Sequence, residues 1–297
     1  MKKVYIYKVI RKLARISNNN KLETCGNDFY HSAIKSELVD YFNAALESVD
    51  TNSNNFNGSK SSEVIWFFWW QGLNEAPSLV KNCYSSLKKH SKNHKIIILS
   101  KNNICRYAHI PAYIYDKVNK NKITLTAFSD IVRFNLLKNY GGLWVDSTIL
   151  WFKDFPNSFF SNFYTAHGSA NLTHKNVSLG RWTSYLIGGG KNNPVFCFMD
   201  NFYKLYYLKN EEPLDYFMVD YGLNYAYDNI SPFKLYIDDV AINNNISIHK
   251  GAEIMNKPLN SVDNGFIFDG TNGLKLTYKG KISSNPETVY NQIKIKG

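Results

Sequence analysis

Cysteine is scarce in this chain. The four that occur, Cys25, Cys83, Cys105 and Cys197, stand far apart, and no two form a C-x-x-C pair. That spacing excludes a zinc ribbon and speaks against a disulfide-stapled scaffold, so reduced thiols of a cytoplasmic protein are expected. Long apolar runs are missing too. No stretch nears the roughly 20 residues that a helix needs to cross a bilayer. The basic N-terminus leads into no uninterrupted apolar segment of the kind a secretory signal carries. Acidic residues are the minority, with 24 Asp plus Glu against 35 Lys plus Arg and a formal net charge of +11. Such a balance attracts polyanions: nucleic acid, anionic lipid or a diphosphate ligand. RNP, KH, zinc-finger and helix-turn-helix signatures are absent, so nucleic acid is not an expected partner. The G-x-x-x-x-G-K-[ST] spacing of a P-loop is absent, and no internal repeat is visible.

What is plentiful is aromatic. Phe, Tyr and Trp make up 15% of the chain, which suits either ring stacking or a large core. The rest of the sequence is organised around residues 124–150, TLTAFSDIVRFNLLKNYGGLWVDSTIL. Thr124 or Thr126 can cap a helix, because a hydroxyl accepts a bond from a free amide of the first turn. Residues 127–139 contain neither Gly nor Pro and read as helix. Phe128, Ile131, Val132 and Leu136 form its apolar face. Thr126, Ser129, Asp130 and Arg133 fall at i, i+3, i+4 and i+7 and form one polar stripe. Gly141-Gly142 ends the helix, since Gly takes the left-handed conformation without strain. Leu143-Trp144-Val145 then reads as a buried strand ending in Asp146-Ser147-Thr148. A carboxylate at the end of a buried strand is where α/β folds place ligands. On spacing alone, Asp130 and Arg133 equally suit an i,i+3 surface ion pair worth about 0.2–0.5 kcal/mol.

The ordered pattern F-S-D-x-x-R, then Y-G-G, an apolar triplet and Asp146 resembles the core of the capsular polysaccharide synthesis glycosyltransferases. These are related to the DXD-containing mannosyltransferase-type enzymes and, more distantly, to large glucosylating bacterial toxins. The resemblance implies a GT-A-like α/β fold with a mostly parallel central sheet. It implies that Asp130 and Arg133 hold the donor sugar and that Asp146 anchors a divalent ion, Mn2+ or Mg2+, on a nucleotide diphosphate sugar, a UDP-sugar foremost. It implies retention of anomeric configuration. The chain departs from D-x-D at Thr148, which offers the metal a hydroxyl in place of a second carboxylate. That departure keeps open a catalytically silent sugar- or nucleotide-binding protein of the same fold.

Other segments fill in the plan. Residues 1–17 are basic and amphipathic, with Ile6, Val9, Ile10, Leu13 and Ile16 on one face. They fit an anionic membrane surface at the inner face of the cell membrane, or a helix packed on its own domain. A basic peripheral membrane protein is thus a further reading of the whole chain. Residues 1–60 are expected to be a helical accessory segment and an Asn/Ser-rich linker, with the glycosyltransferase domain over 61–297. Residues 63–71, EVIWFFWWQ, read as a strand buried on both faces. By the resemblance its end places Trp70, Gln71 and Gly72 at the donor, joined by Ser129, Trp144 and Val145. Residues 78–89 then read as helix and 95–100 as strand, a βαβ unit. After a strand over 185–187, Gly188-Gly189-Gly190 reads as a loop, either ligand-approaching or a plain connector. Residues 213–230 read as one helix carrying Asp215 and Asp220, either of which suits a capping or solvent-facing role first, or else an acceptor-positioning or base role. His249 is a further metal candidate by analogy with C-terminal ligands of GT-A enzymes, and Lys275 a phosphate contact. The expected acceptor is a lipid-linked oligosaccharide or growing glycan.

Overall fold

The computed structural model describes residues 2–51, 62–167, 174–239 and 248–296. The Asn/Ser linker lies mostly outside the described residues.

Two helices open the chain, α1 (Lys2–Ile16) and α2 (Asn20–Glu47), and α2 begins nine residues before its strongest apolar periodicity. The start is set by Asn19, whose side chain accepts from the amides of Lys21 and Leu22. The two helices cross closely at Gly26, where a Cβ would lie 2.8 Å from the Ala14 Cβ. Ile34, Leu38 and Phe42 of α2 enter the principal core, and Phe42 packs against Phe198 and Phe202. The accessory helix therefore shares its core with the rest of the molecule. The apolar face read in α1 points the other way. Ile6 is 56% exposed, Leu13 62% and Ile16 67%, with Val9 and Ile10 also exposed.

The central sheet has five strands in the order β2-β1-β3-β6-β5. They are β1 (Val64–Phe68), β2 (Lys95–Leu99), β3 (Gly142–Val145), β5 (Phe163–Thr165) and β6 (Leu186–Gly189), with β4 (Ile149–Trp151) lying outside this sheet. Helix α3 (Ser78–His90) links β1 to β2, which pair in parallel as the expected βαβ unit. β1 and β3 also run parallel. β6 lies antiparallel to β3 and to β5, so the sheet is mixed and the expectation of a mostly parallel sheet is corrected. The chain turns back before β6, and glycines let the returning strand pack there. Gly188 and Gly189 are strand residues, not a loop, and a Cβ on Gly188 would meet the Gly142 carbonyl at 2.5 Å. Bare backbone lets β6 lie tight against β3 after the chain has turned back.

Two helices precede β3: α4 (Ala112–Asn119) and α5 (Leu125–Tyr140). Thr124 caps α5, accepting from the Ala127 amide at 3.2 Å. After β6 come α6 (Pro194–Lys209), α7 (Met218–Asn229) and α8 (Ser231–Asp239). α7 is shorter than the helix expected over 213–230. Asp215 takes the Phe217 amide on Oδ1 at 2.7 Å and the Tyr30 hydroxyl on Oδ2 at 2.5 Å, which holds 213–217 as a turn against α2. Finally β7 (Gly273–Lys275) pairs antiparallel with β4, setting Lys275 opposite Ile149. Among the described residues no helix is long and apolar enough to cross a membrane.

Candidate active site

Strands β1 and β3 run side by side and end at the same edge of the sheet. Their C-terminal residues and the first turns of α5 surround a cavity of about 450 Å³. In β3 the side chains alternate, so Trp144 and Asp146 face this cavity while Val145 joins the core with Ile65, Phe67 and Leu186. Val145, expected at the donor, therefore does not line this cavity. Gly72 is likewise not among the lining residues. Its φ of +89° closes the turn after β1, with its amide donating to the Trp69 carbonyl at 2.9 Å. Trp70, Gln71, Ser129, Asp130, Arg133, Trp144, Asp146 and Thr148 all line the cavity. The polar stripe of α5 thus points into it, as does the end of β3.

The charged groups are tied together. Arg133, 3% exposed, lies between two carboxylates. It donates from Nη1 to Asp130 Oδ1 at 2.5 Å and from Nη2 to Asp146 Oδ1 at 3.3 Å. Its guanidinium stands 5.0 Å from the Trp144 ring centroid, within cation–π range. The Trp144 indole donates to Asp146 Oδ1 at 2.8 Å. From the other side Lys275 donates to Asp146 Oδ2 at 2.7 Å and to Thr148 Oγ1 at 2.6 Å. Burial raises the Asp130 pKa to about 6 despite Arg133. Burial pushes Asp146 the same way, but Lys275, Arg133 and the Trp144 hydrogen bond outweigh it and hold this carboxyl below its usual range.

A second cavity, of about 810 Å³, adjoins the first, and the two share Ser184, Tyr185 and Phe217 as walls. Lys8, Arg11, Lys12 and Arg15 of α1 line it together with Lys175, which makes it strongly basic. Asp220 and His249 also line it. Asp220 accepts from the Trp182 indole at 3.1 Å, and burial raises its pKa to about 7 against that bond. Asp215 lies in neither lining and serves the turn described above. His249 lines this second cavity, whereas Asp146 and Thr148 line the first.

A divalent ion does not fit the residues around Asp146 as they stand. Both carboxylate oxygens and the Thr148 hydroxyl already accept hydrogen bonds, two of them from one ammonium. Among the described residues no three His, Cys, Asp or Glu side chains converge in a way that could hold a metal. Arg133 and Lys275 would also repel the ion. Each pair of unit charges about 4 Å apart is worth about 4 kcal/mol at an effective dielectric constant of about 20.

Several lining residues carry no local sequence signal, among them Tyr185, Tyr216, Phe217 and Tyr278. Lys275 was visible only as one cation in a short basic run, 129 residues from its partner Asp146.

Comparison with known proteins supplies the class. The profile of the family described as capsular polysaccharide synthesis protein matches residues 14–293. The chain belongs to that family. No curated protein matches it. Among solved structures, a chain described as PaToxG Glycosyltransferase aligns at 15% identity and a TM-score of 0.37, covering 70% of this chain and 83% of that one.

Proposed function

We propose that the protein is a glycosyltransferase that moves a sugar from a nucleotide diphosphate to a lipid-linked or growing surface-polysaccharide acceptor. The observation that carries this reading is the Asp130–Arg133–Asp146 cluster, which lines a cavity at the ends of two parallel strands in a chain of the capsular polysaccharide synthesis family. Two carboxylates and a guanidinium suit sugar hydroxyls, because they supply acceptors and donors in fixed positions and convert binding energy into orientation. Trp70 and Gln71 line the same cavity and suit the nucleoside. The basic neighbouring cavity suits an acceptor that carries phosphate.

In the transfer, the bond between the anomeric carbon and the diphosphate oxygen breaks, and its electron pair stays on the diphosphate. A bond forms from the acceptor oxygen to the anomeric carbon, and the acceptor hydroxyl loses its proton. Asp220, with a pKa near 7 on the acceptor side, is suited to take that proton. Retention of configuration is the outcome the family resemblance carries. The exposed apolar face of α1 and its lysines suit an anionic membrane surface, where a lipid-linked acceptor would reside.

The test is a thermal-shift screen of nucleotide diphosphate sugars followed by a transfer assay on the hits. A ligand that binds only the native state raises its melting temperature. Stabilisation together with transfer supports the reading. Stabilisation without transfer or donor hydrolysis would point to a silent binding protein.

A further inference from the structure

Lys275 is placed where a divalent cation would be expected. Resting on the donor site proposed above, we propose that its ammonium takes the place of the metal as the counter-charge to the donor diphosphate. Two of the three ammonium hydrogens are committed, one to Asp146 Oδ2 at 2.7 Å and one to Thr148 Oγ1 at 2.6 Å. The third is left for a ligand oxygen, and the side chain, 24% exposed, lines the cavity.

The position is built into the fold. Lys275 belongs to β7, which pairs with β4 immediately after Asp146-Ser147-Thr148, and the Leu276 amide donates to the Thr148 carbonyl at 2.8 Å. Behind the strand, Gly251 opens a short helix (Gly251–Ile254). A Cβ there would lie 2.5 Å from the Lys275 carbonyl, so the helix backs the strand closely. An ammonium on paired backbone is a preorganised charge, which needs no rearrangement when charge develops on the leaving oxygen. Thr148 fits this arrangement better than a carboxylate would. Its neutral hydroxyl accepts from Lys275 without adding a negative charge that would compete with the diphosphate for the ammonium. Asp146 then orients Lys275 and Arg133 instead of ligating an ion. Lys275 takes part in none of the bonds broken or formed, so the transfer balances as before.

The experiment is calorimetric titration of UDP, GDP and ADP into the full chain, once in EDTA and once in Mn2+. At least one nucleoside diphosphate is expected to bind in EDTA as tightly as in Mn2+. Lys275→Met is expected to weaken the EDTA binding about tenfold or more, the loss of one charge-assisted hydrogen bond. Lys275→Arg is expected to retain it. Lys275→Asp is expected to bind only in Mn2+, because it rebuilds a paired-carboxylate site. Wild-type binding that vanishes in EDTA and returns with Mn2+ would overturn this inference and leave the donor site standing. No binding of any of the three nucleotides in either condition would overturn the donor site and this inference together. The wild-type comparison needs no substitution, so a variant that misfolds does not decide the outcome.

Discussion

Replacing Asp220 by Asn should change how stability depends on pH, and the size of the effect follows from the fold. Burial raises this carboxyl from 3.8 to about 7. Below about pH 4 the group is protonated in both the folded and the unfolded chain, and it contributes no pH dependence. Between about pH 4 and pH 7 the unfolded chain has lost the proton and the folded chain still holds it. Stability therefore falls as pH rises across that window, by about 1.4 kcal/mol per unit at most, and the loss is complete above the folded pKa. The full rise corresponds to about 4 kcal/mol, and coupling to Asp130 and Arg133 makes about 2–4 kcal/mol the working expectation. Asparagine has the same shape, keeps an oxygen to accept from the Trp182 indole, and cannot ionise. Asp220→Asn should accordingly be more stable than the parent at pH 8 by about 2–4 kcal/mol and nearly equal to it at pH 4. Urea unfolding at pH 4, 6 and 8 reads this directly. Transfer should fall by about 10²–10⁴-fold in the same variant if Asp220 takes the acceptor proton. Parallel stability curves for variant and parent across pH 4–8 would refute the reasoning, because the carboxyl would then titrate alike in both states.

Three other outcomes are expected. Arg133→Ala should abolish transfer and lower stability by about 3–5 kcal/mol, because it strands Asp130 in a buried site, whereas Asp130→Asn should lose transfer and remain folded; urea unfolding with a transfer assay separates these. Gly188→Ala should cost about 1–3 kcal/mol or more, since the new Cβ meets the Gly142 carbonyl at 2.5 Å, and thermal unfolding checks it. Deleting residues 2–17 should weaken sedimentation with anionic vesicles and spare binding of the nucleotide donor, which shows whether the exposed face of α1 meets membrane.

Much of the candidate site was legible because it is local. Asp130 and Arg133 lie three residues apart on one helix, and Asp146 ends the strand that directly follows. Helical periodicity and a Gly-Gly stop are sufficient to put those three groups near one another. The βαβ unit was legible for the same reason, since its apolar runs and the helix between them are contiguous. What escaped was set by contacts between distant segments. The direction of β6 depends on how the chain returns after β5, and its glycines looked like a flexible loop because glycine reports backbone freedom without saying what uses it. The turn at 213–217 looked helical because its residues continue a helical pattern. Its true state follows from the Tyr30 hydroxyl, 185 residues away, which binds Asp215.

The charge of the site was the least legible part, and it bears most on chemistry. Read locally, Asp146-Ser147-Thr148 is a weakened metal motif with one carboxylate missing. With β7 laid beside β4, the same residues seat an ammonium, and the threonine becomes its acceptor. Asp130 and Asp146 then face Arg133 and Lys275, so the described cluster is balanced before any ligand enters. A dianionic diphosphate entering a balanced cluster must draw its compensation from donors already in place, and Lys275, which lines the cavity, has a third hydrogen to give. A divalent ion entering first would meet two fixed positive charges. Thr148 and Lys275, 127 residues apart in the chain, thus belong with Asp146 to a single site.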